Sequence, residues 1–250
     1  MEYSENFQRY YFKYMGITPQ DLAGRKNIFS SSQRERPLNN WYFQHLIVTN
    51  VNNINVFSIV PGMYKDFKGY ITPFKDMDIS EMTGVLRVFF DGKFEDYSIR
   101  KMYRMTLDSA PKDLMVDNIA VKLTKEILIN NLQSISINHD EINEIWCRKK
   151  NEVNQGRQYV ILDKSKIVSY CKVSNIDYNG GNLTVYTQEK YRNRGYGKSV
   201  SIEAIKWCDD NGIIPIYWVD EKNATSVALA KSLGFKIMSE EIVVGTKSQQ

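Results

Sequence analysis

Cysteine is scarce in this chain of 250 residues, and the three present are poorly placed for cross-linking: Cys147, Cys171 and Cys208 are odd in number, widely spaced and never in a Cys-x-x-Cys pair. Neither a disulfide framework nor a zinc site is expected, and a reducing cytoplasm fits. Histidine is rarer still. His45 falls in an apolar strand-like run, where a satisfied core or surface role is the ordinary one, and His139 beside Asp140 suits a helix start. No His-Glu-x-x-His and no Gly-x-Ser-x-Gly occurs, so zinc-protease and serine-hydrolase readings fall away. Long apolar runs are missing too, and nothing approaches the roughly eighteen residues of a membrane helix. The first sixteen residues carry Glu2 and Glu5 and no continuous apolar stretch, unlike a secretory signal. Excess charge is small at +4, without the dense basic patch that nucleic acid demands. These absences point to a cytoplasmic protein without a metal, a membrane or a nucleic-acid partner.

Hydrophobic content of 42% and charged content of 25% are those of a globular protein, and the length allows one large domain or two small ones. Residues 5–15 place Phe7, Tyr10, Tyr11 and Tyr14 at helical spacing, and Thr18-Pro19 starts a second short helix. Residues 26–40 read as a polar loop. Trp41–Thr49 and Ile54–Val60 form a hairpin, broken by Pro61-Gly62. Asp78–Phe90 is an amphipathic helix and Ser98–Leu107 a strand. Ser109–Asp117, with its proline and mixed charge, is the linker candidate, which divides the chain into domains at 1–117 and 118–250. Beyond it come a strand at Ile119–Leu123, a helix capped by Thr124, a helix at Asp140–Lys149, a hairpin of Gln158–Leu162 with Ile167–Val173, and a turn at Asn179-Gly180-Gly181.

The stretch Asn182–Phe235 organises the rest. A strand (Leu183, Val185, Thr187) feeds a turn with Arg192-x-x-Gly195-x-Gly197, and an amphipathic helix follows and stops at Asn211-Gly212. Two glycines let a ligand approach the backbone, and the turn's amides converge with the free N–H groups and dipole of the helix on one anion site. Arg192, Arg194 and Lys198 add charge suited to a pyrophosphate. A strand over Ile213–Val219 comes next, then a helix opened by Asn223 and closed by Gly234.

With Tyr191-Arg192 before the turn, Asn223-x-x-Ser226-x-x-Leu229 one strand later and Leu233-Gly234-Phe235 at the end, the chain resembles the GCN5-related N-acetyltransferases. Within them it is similar to the zwittermicin-resistance-type subgroup. The resemblance covers residues 157–244 and fades over the first hundred. It implies an α/β (α+β) fold, with a mixed, mostly antiparallel sheet flanked by helices in the C-terminal half. The N-terminal α/β domain would be a degenerate copy or an acceptor-site wall. It implies acetyl-CoA as cofactor, with Arg192, Asn193, Arg194, Gly195, Tyr196, Gly197 and Lys198 on the pyrophosphate. Val185, Tyr186, Thr187, Asn223 and Ser226 would lie along the pantetheine arm.

Two positions depart from the family pattern. The tyrosine that often serves as acid is Ala230 here, and the strand glutamate that often serves as base is Tyr186. Ser226, Tyr186 and Asp220 are the remaining catalytic candidates. For Ser226 a small helix-packing role is the more ordinary one, Tyr186 equally suits a groove wall, and no residue is singled out as the base. Placement of the amine against the thioester supplies roughly 7–11 kcal/mol without either carrier. The expected function is acetyl transfer from acetyl-CoA to a primary amine of a small molecule, such as an amine-bearing antibiotic, by a monomer or homodimer. A non-catalytic CoA sensor and a protein or peptide N-acetyltransferase are the alternatives.

Overall fold

The computed structural model describes residues 4–24, 26–39, 41–108 and 118–247. In chain order these form α1 (Glu5–Met15), α2 (Pro19–Ala23), β1 (Ile28–Ser30), β2 (Tyr42–Val51), β3 (Ile54–Ile59), α3 (Tyr64–Ile71), α4 (Met82–Phe90), β4 (Ser98–Thr106), β5 (Val121–Lys122), α5 (Lys125–Ser134), α6 (His139–Asn154), β6 (Gln158–Asp163), β7 (Lys166–Asp177), β8 (Gly180–Thr187), α7 (Tyr196–Asp210), β9 (Ile214–Asp220), α8 (Ala224–Ser232) and β10 (Lys236–Lys247). This is the mixed, mostly antiparallel sheet architecture with flanking helices. Two compact units share the chain. The first holds residues 1–106, 218–227 and 236–250, and the second holds 107–217 and 228–235. Residues 218–227 and 236–250, which the 118–250 segment would have included, thus group with the first unit. The linker candidate Ser109–Asp117 lies outside the described residues.

In the first unit the strands run in the order β1-β3-β2-β10-β4, with β1 parallel to β3 and the remaining pairs antiparallel. Strand side chains alternate between faces. Leu46, Val48, Phe57, Ile59, Ile242 and Val244 pack under Phe67 and Ile71 of α3 and Met82, Leu86 and Phe89 of α4. The opposite face takes α1, whose Tyr11 hydroxyl donates to Glu241 Oε1 at 2.9 Å. Asn52 and Asn53, both left-handed (φ 51° and 63°), make the two-residue turn that joins β2 to β3.

The expected polar loop at 26–40 is more ordered than that reading. β1 pairs with β3, and Arg34 is fully buried. Its guanidinium lies 4.5 Å from the Tyr14 ring centroid and donates to the Tyr14 carbonyl at 2.9 Å. A sequence of polar residues hides a cation whose long stem and planar head are covered by an aromatic ring. The Asp78–Phe90 helix begins later, at Met82, because Asp78 Oδ1 turns back to accept from Ser80 N at 2.7 Å.

In the second unit, residues 214–217 of β9, then β8, β7, β6 and β5, lie side by side, antiparallel except for β8 with β9. α7 packs on β6, β7 and β8. On the other face, Leu128 and Leu132 of α5 and Ile142 and Val153 of α6 bury Val160. Thr124 and Asn138 cap α5 and α6 through their side chains, so the capping duty expected near His139 falls to its neighbour. The strand expected over Ile119–Leu123 shortens to Val121–Lys122. The turn expected at Asn179-Gly180-Gly181 moves back to Tyr178-Asn179 (φ 51° and 65°), and both glycines enter β8. A Cβ on Gly181 would stand 2.6 Å from Val173 Cγ1 and 2.9 Å from Ile213 Cγ2. That glycine serves close packing, not chain reversal.

Candidate functional site

Strand β8 is paired along its whole length on only one side. With β7 the register runs from Ser169↔Thr187 to Asp177↔Gly180. With β9 it covers Gly180↔Ile214, Gly181↔Pro215 and Asn182↔Ile216, then stops. On that second side the main-chain groups of Leu183–Thr187 have no strand partner among the described pairs. Such an edge offers hydrogen bonds to an extended ligand with amides of its own.

The chain then turns through Gln188–Gly195. Gln188 anchors it, its amide donating to Val168 O at 2.9 Å and its side chain to Ile167 O at 2.8 Å. Asn193 (φ 60°) and Gly195 (φ 76°) reverse the backbone into α7. Gly195 is the residue before the first helical turn, and no side chain caps the helix there. α1, α2, α5 and α6 are each capped by a Ser, Thr or Asn. The first N–H groups of the fifteen-residue α7 are therefore left for another acceptor, at the positive end of the helix dipole. A Cβ on Gly197 would lie 3.5 Å from Thr187 Oγ1 and 3.8 Å from Val185 Cγ1, so the helix start sits directly against β8.

Charge and rigidity collect at the same turn. Arg192 and Arg194 are exposed, Lys198 is half-buried, and no carboxylate falls between Arg192 and Lys198. The Arg194 guanidinium lies 5.4 Å from the Tyr191 ring, which stacks on Tyr196 at 6.2 Å. Tyr191 in turn donates its hydroxyl to Asp163. Asn118 Nδ2 donates to Arg194 O at 2.8 Å, a brace with no signal in the sequence. Uncapped amides, three cations and a Cβ-free approach form a donor set that fits a phosphorylated ligand such as the pyrophosphate of CoA. Val185, Tyr186, Thr187 and Arg192–Lys198 are thus brought together within the second unit.

The other expected residues belong to the first unit. Asn223 accepts from Ser226 N at 3.1 Å and so starts α8. Ser226 is half-buried. The Asp220 carboxylate accepts from Arg100 Nε at 2.9 Å and from the Lys222 amide at 2.9 Å. Burial pushes its acidity toward a higher pKa, but the Lys222 amide and Arg100 outweigh it and hold the group below the usual range. Asp220 therefore stays an ion-paired carboxylate at neutral pH, and Arg100 is the partner that sequence reading missed. Ala230, in the second unit, is fully buried, so no side chain reaches solvent from the position of the family's usual acid. Tyr186 is 48% exposed, with its ring 5.6 Å from that of Tyr170.

A family model described as GNAT acetyltransferase matches residues 80–242. The chain belongs to the GNAT acetyltransferase family. The match begins well upstream of the residues that carry the sequence resemblance and takes in α4 and β4. Among curated proteins, the chain is 31% identical over 140 residues to a Bacillus subtilis (strain 168) protein named uncharacterized N-acetyltransferase YdfB. That stretch is 56% of this chain and 51% of the relative, so the chain spans about half the length of the curated relative it matches. Two solved structures are similar at lower identity. A GNAT-family acetyltransferase from Colwellia psychrerythraea is 10% identical at TM-score 0.49, covering 100% of this chain and 98% of its own. A GCN5-related N-acetyltransferase from Sphaerobacter thermophilus is 12% identical at TM-score 0.49, covering 84% and 76%. Among the described residues no helix is long and apolar enough to cross a membrane.

Proposed function

We propose that the protein transfers an acetyl group from acetyl-CoA to a primary amine of a small molecule. One observation carries the reading: the uncapped start of α7, ringed by Arg192, Arg194 and Lys198, lies against the open edge of β8 in a GNAT-family chain. Acetyl-CoA supplies an activated thioester carbonyl. The amides of Gly195–Lys198, with Arg192, Asn193 and Arg194, hold its pyrophosphate, and Val185, Tyr186 and Thr187 offer main-chain bonds to the pantetheine arm. The Asn223 side chain is committed to starting α8, and the reading depends neither on it nor on Ser226.

Proton transfer falls to Tyr186 in this reading. Asp220 is held ionised and is a poor donor, and Ala230 has no proton to give. A phenol on β8 carries an O–H that can protonate a leaving thiolate. Tyr186→Phe then lowers kcat by about ten- to a hundredfold with acetyl-CoA affinity unchanged. Unchanged turnover in that variant would remove Tyr186 from the chemistry. The subgroup resemblance favours an amine-bearing antibiotic or related metabolite as acceptor, modified in the cytoplasm.

Acetyl-CoA binding by calorimetry, on the wild type and on Gly195→Glu, is the deciding experiment. The substitution puts a carboxylate where the pyrophosphate sits and forces a side chain into φ 76°. Expected is binding by the wild type and a loss of about a hundredfold or more in the variant. No binding by the wild type would end the reading. A second reading, CoA binding without catalysis, is favoured by the buried Ala230. Turnover of any amine sinks it, and tight binding without turnover across a broad amine panel would sink the first.

A further inference from the structure

The second unit contains a cavity of about 570 Å³ between α5, α6 and the strands beneath them. Its walls are apolar: Leu123, Leu128, Leu132, Ile145 and Ile167. Its charged groups are of one sign: Arg148 and Lys149 line it, and no carboxylate does among the described residues. Lys149 is half-buried, and burial first, then the charge of Lys172, lowers its pKa. Glu152, whose charge acts in the opposite direction on Lys149, pairs with Lys172 Nζ at 3.7 Å. Gln158 also lines the cavity and is 6% exposed, and its Oε1 has no hydrogen-bond partner among the described residues. A buried amide oxygen without a donor is costly, so it can accept a hydrogen bond from a ligand in the cavity. Asn131, by contrast, is occupied, accepting from Ile167 N at 2.7 Å. Tyr170 and Tyr186 complete the lining, and Tyr186 belongs to β8, the strand with the open edge.

We propose that this cavity is the acceptor pocket, and that its acceptor is a primary amine carrying a carboxylate on an apolar body. The acceptor role rests on the acetyltransferase reading. The chemical class rests on the lining. Apolar walls of this size suit a body of amino-acid-to-dipeptide dimensions. Two cations without an acid repel a polyamine or an aminosugar and attract a carboxylate. Pairing the carboxylate with Lys149 fixes the acceptor, while its neutral amine is aimed past Tyr186 toward β8. There the amine nitrogen forms a bond to the acetyl carbon as the C–S bond breaks; the thiolate takes the Tyr186 phenol proton, and the proton lost by the nitrogen returns to Tyr186. Among the described residues none of the lining comes from the 1–117 segment, which the sequence resemblance had offered as the acceptor wall.

The test uses the full chain and two matched probes, phenylbutyrate and phenylbutylamine, by calorimetry without acetyl-CoA. Phenylbutyrate is expected to bind at least about tenfold more tightly than phenylbutylamine. Lys149→Met is expected to lose about tenfold of the phenylbutyrate affinity and Lys149→Arg to keep it, with acetyl-CoA affinity unchanged in both as the report of an intact fold. Phenylalanine is then acetylated faster than phenethylamine. The proposal is overturned if phenylbutylamine binds as well as phenylbutyrate, or if Lys149→Met leaves phenylbutyrate affinity intact. Phenylbutyrate binding by a protein that does not bind acetyl-CoA would overturn the acceptor role and the transferase reading together, leaving an anion site.

Discussion

Arg104 and Glu241 are the most consequential pair of side chains in the first unit, and neither stands out in the sequence. Both are buried, and they meet through two hydrogen bonds, Nε to Oε1 at 2.6 Å and Nη2 to Oε2 at 3.2 Å. Tyr10 accepts from Arg104 at 2.8 Å, and Tyr11 and the Trp218 indole donate to Glu241 at 2.9 Å and 3.0 Å. Removing one partner strands a charge in a dry interior, so Arg104→Met is expected to cost about 3–5 kcal/mol in urea unfolding. The double variant with Glu241→Leu should recover part of that loss, and a double variant no more stable than the single would refute the pairing. His45 gives a pH dependence. Its ring stacks 4.3 Å from Phe94, and burial lowers its pKa. The unfolded chain therefore takes up the proton first, near pH 6.5. Stability is full above that value and declines as pH falls through it toward the lower folded pKa. Melting temperature should drop between pH 7.5 and 5.5, and His45→Gln should flatten the slope. The cysteines divide by exposure: Cys147 is exposed, Cys171 and Cys208 are buried, and burial raises the pKa of both buried thiols, that of Cys208 to about 12. Iodoacetamide at pH 8 should label one site in the folded protein and three in urea.

At the scale of elements, β8, its turn and α7 are where local sequence and structure agree most closely. The reason is that their signals are local. Left-handed Gly195 and the C-terminal Asn211-Gly212 of α7 answer to backbone conformations that few residues adopt, so the residue type reports the geometry. Gly181 misleads for the opposite reason. Its requirement comes from Val173 and Ile213, which are distant in sequence, and a turn dipeptide looks the same on paper. Gly181→Ala should cost roughly 1–3 kcal/mol through overpacking, read in the urea midpoint of the second unit. A neutral outcome would mean that β8 and β9 can part without loss.

For the whole molecule, the informative strand is β10. It pairs with β2 on one side, from Glu241↔Thr49 to Lys247↔Tyr42, and with β4 on the other, from Lys236↔Thr106 to Gly245↔Ser98. The last described strand is thus an interior strand of the first unit, flanked by segments at least 130 residues earlier. A fragment cut at the linker, residues 118–250, would expose Ile242, Val243 and Val244 and leave both edges of β10 unpaired. Such a fragment is expected to aggregate, whereas the full chain stays dispersed in size-exclusion chromatography. A monodisperse, folded fragment would show that β10 does not need those neighbours.

Sequence alone determined the N-caps at Thr18 and Thr124, the hairpins of β2 with β3 and of β6 with β7, the glycine turn that starts α7 and, through motif order, the family, because each depends on residues within a few positions of one another. It also put Ala230 and Tyr186 at the positions where the resemblance implied proton carriers. Tertiary structure alone decided that Arg34, Arg104 and Glu241 are buried, that Asp220 is tied to Arg100, that β8 is paired on one side only beyond Asn182, and that a cationic, apolar cavity lies beside Tyr186. Burial, ion pairing and cavity shape are set by residues far apart in the chain, and composition and periodicity do not say which of them meet.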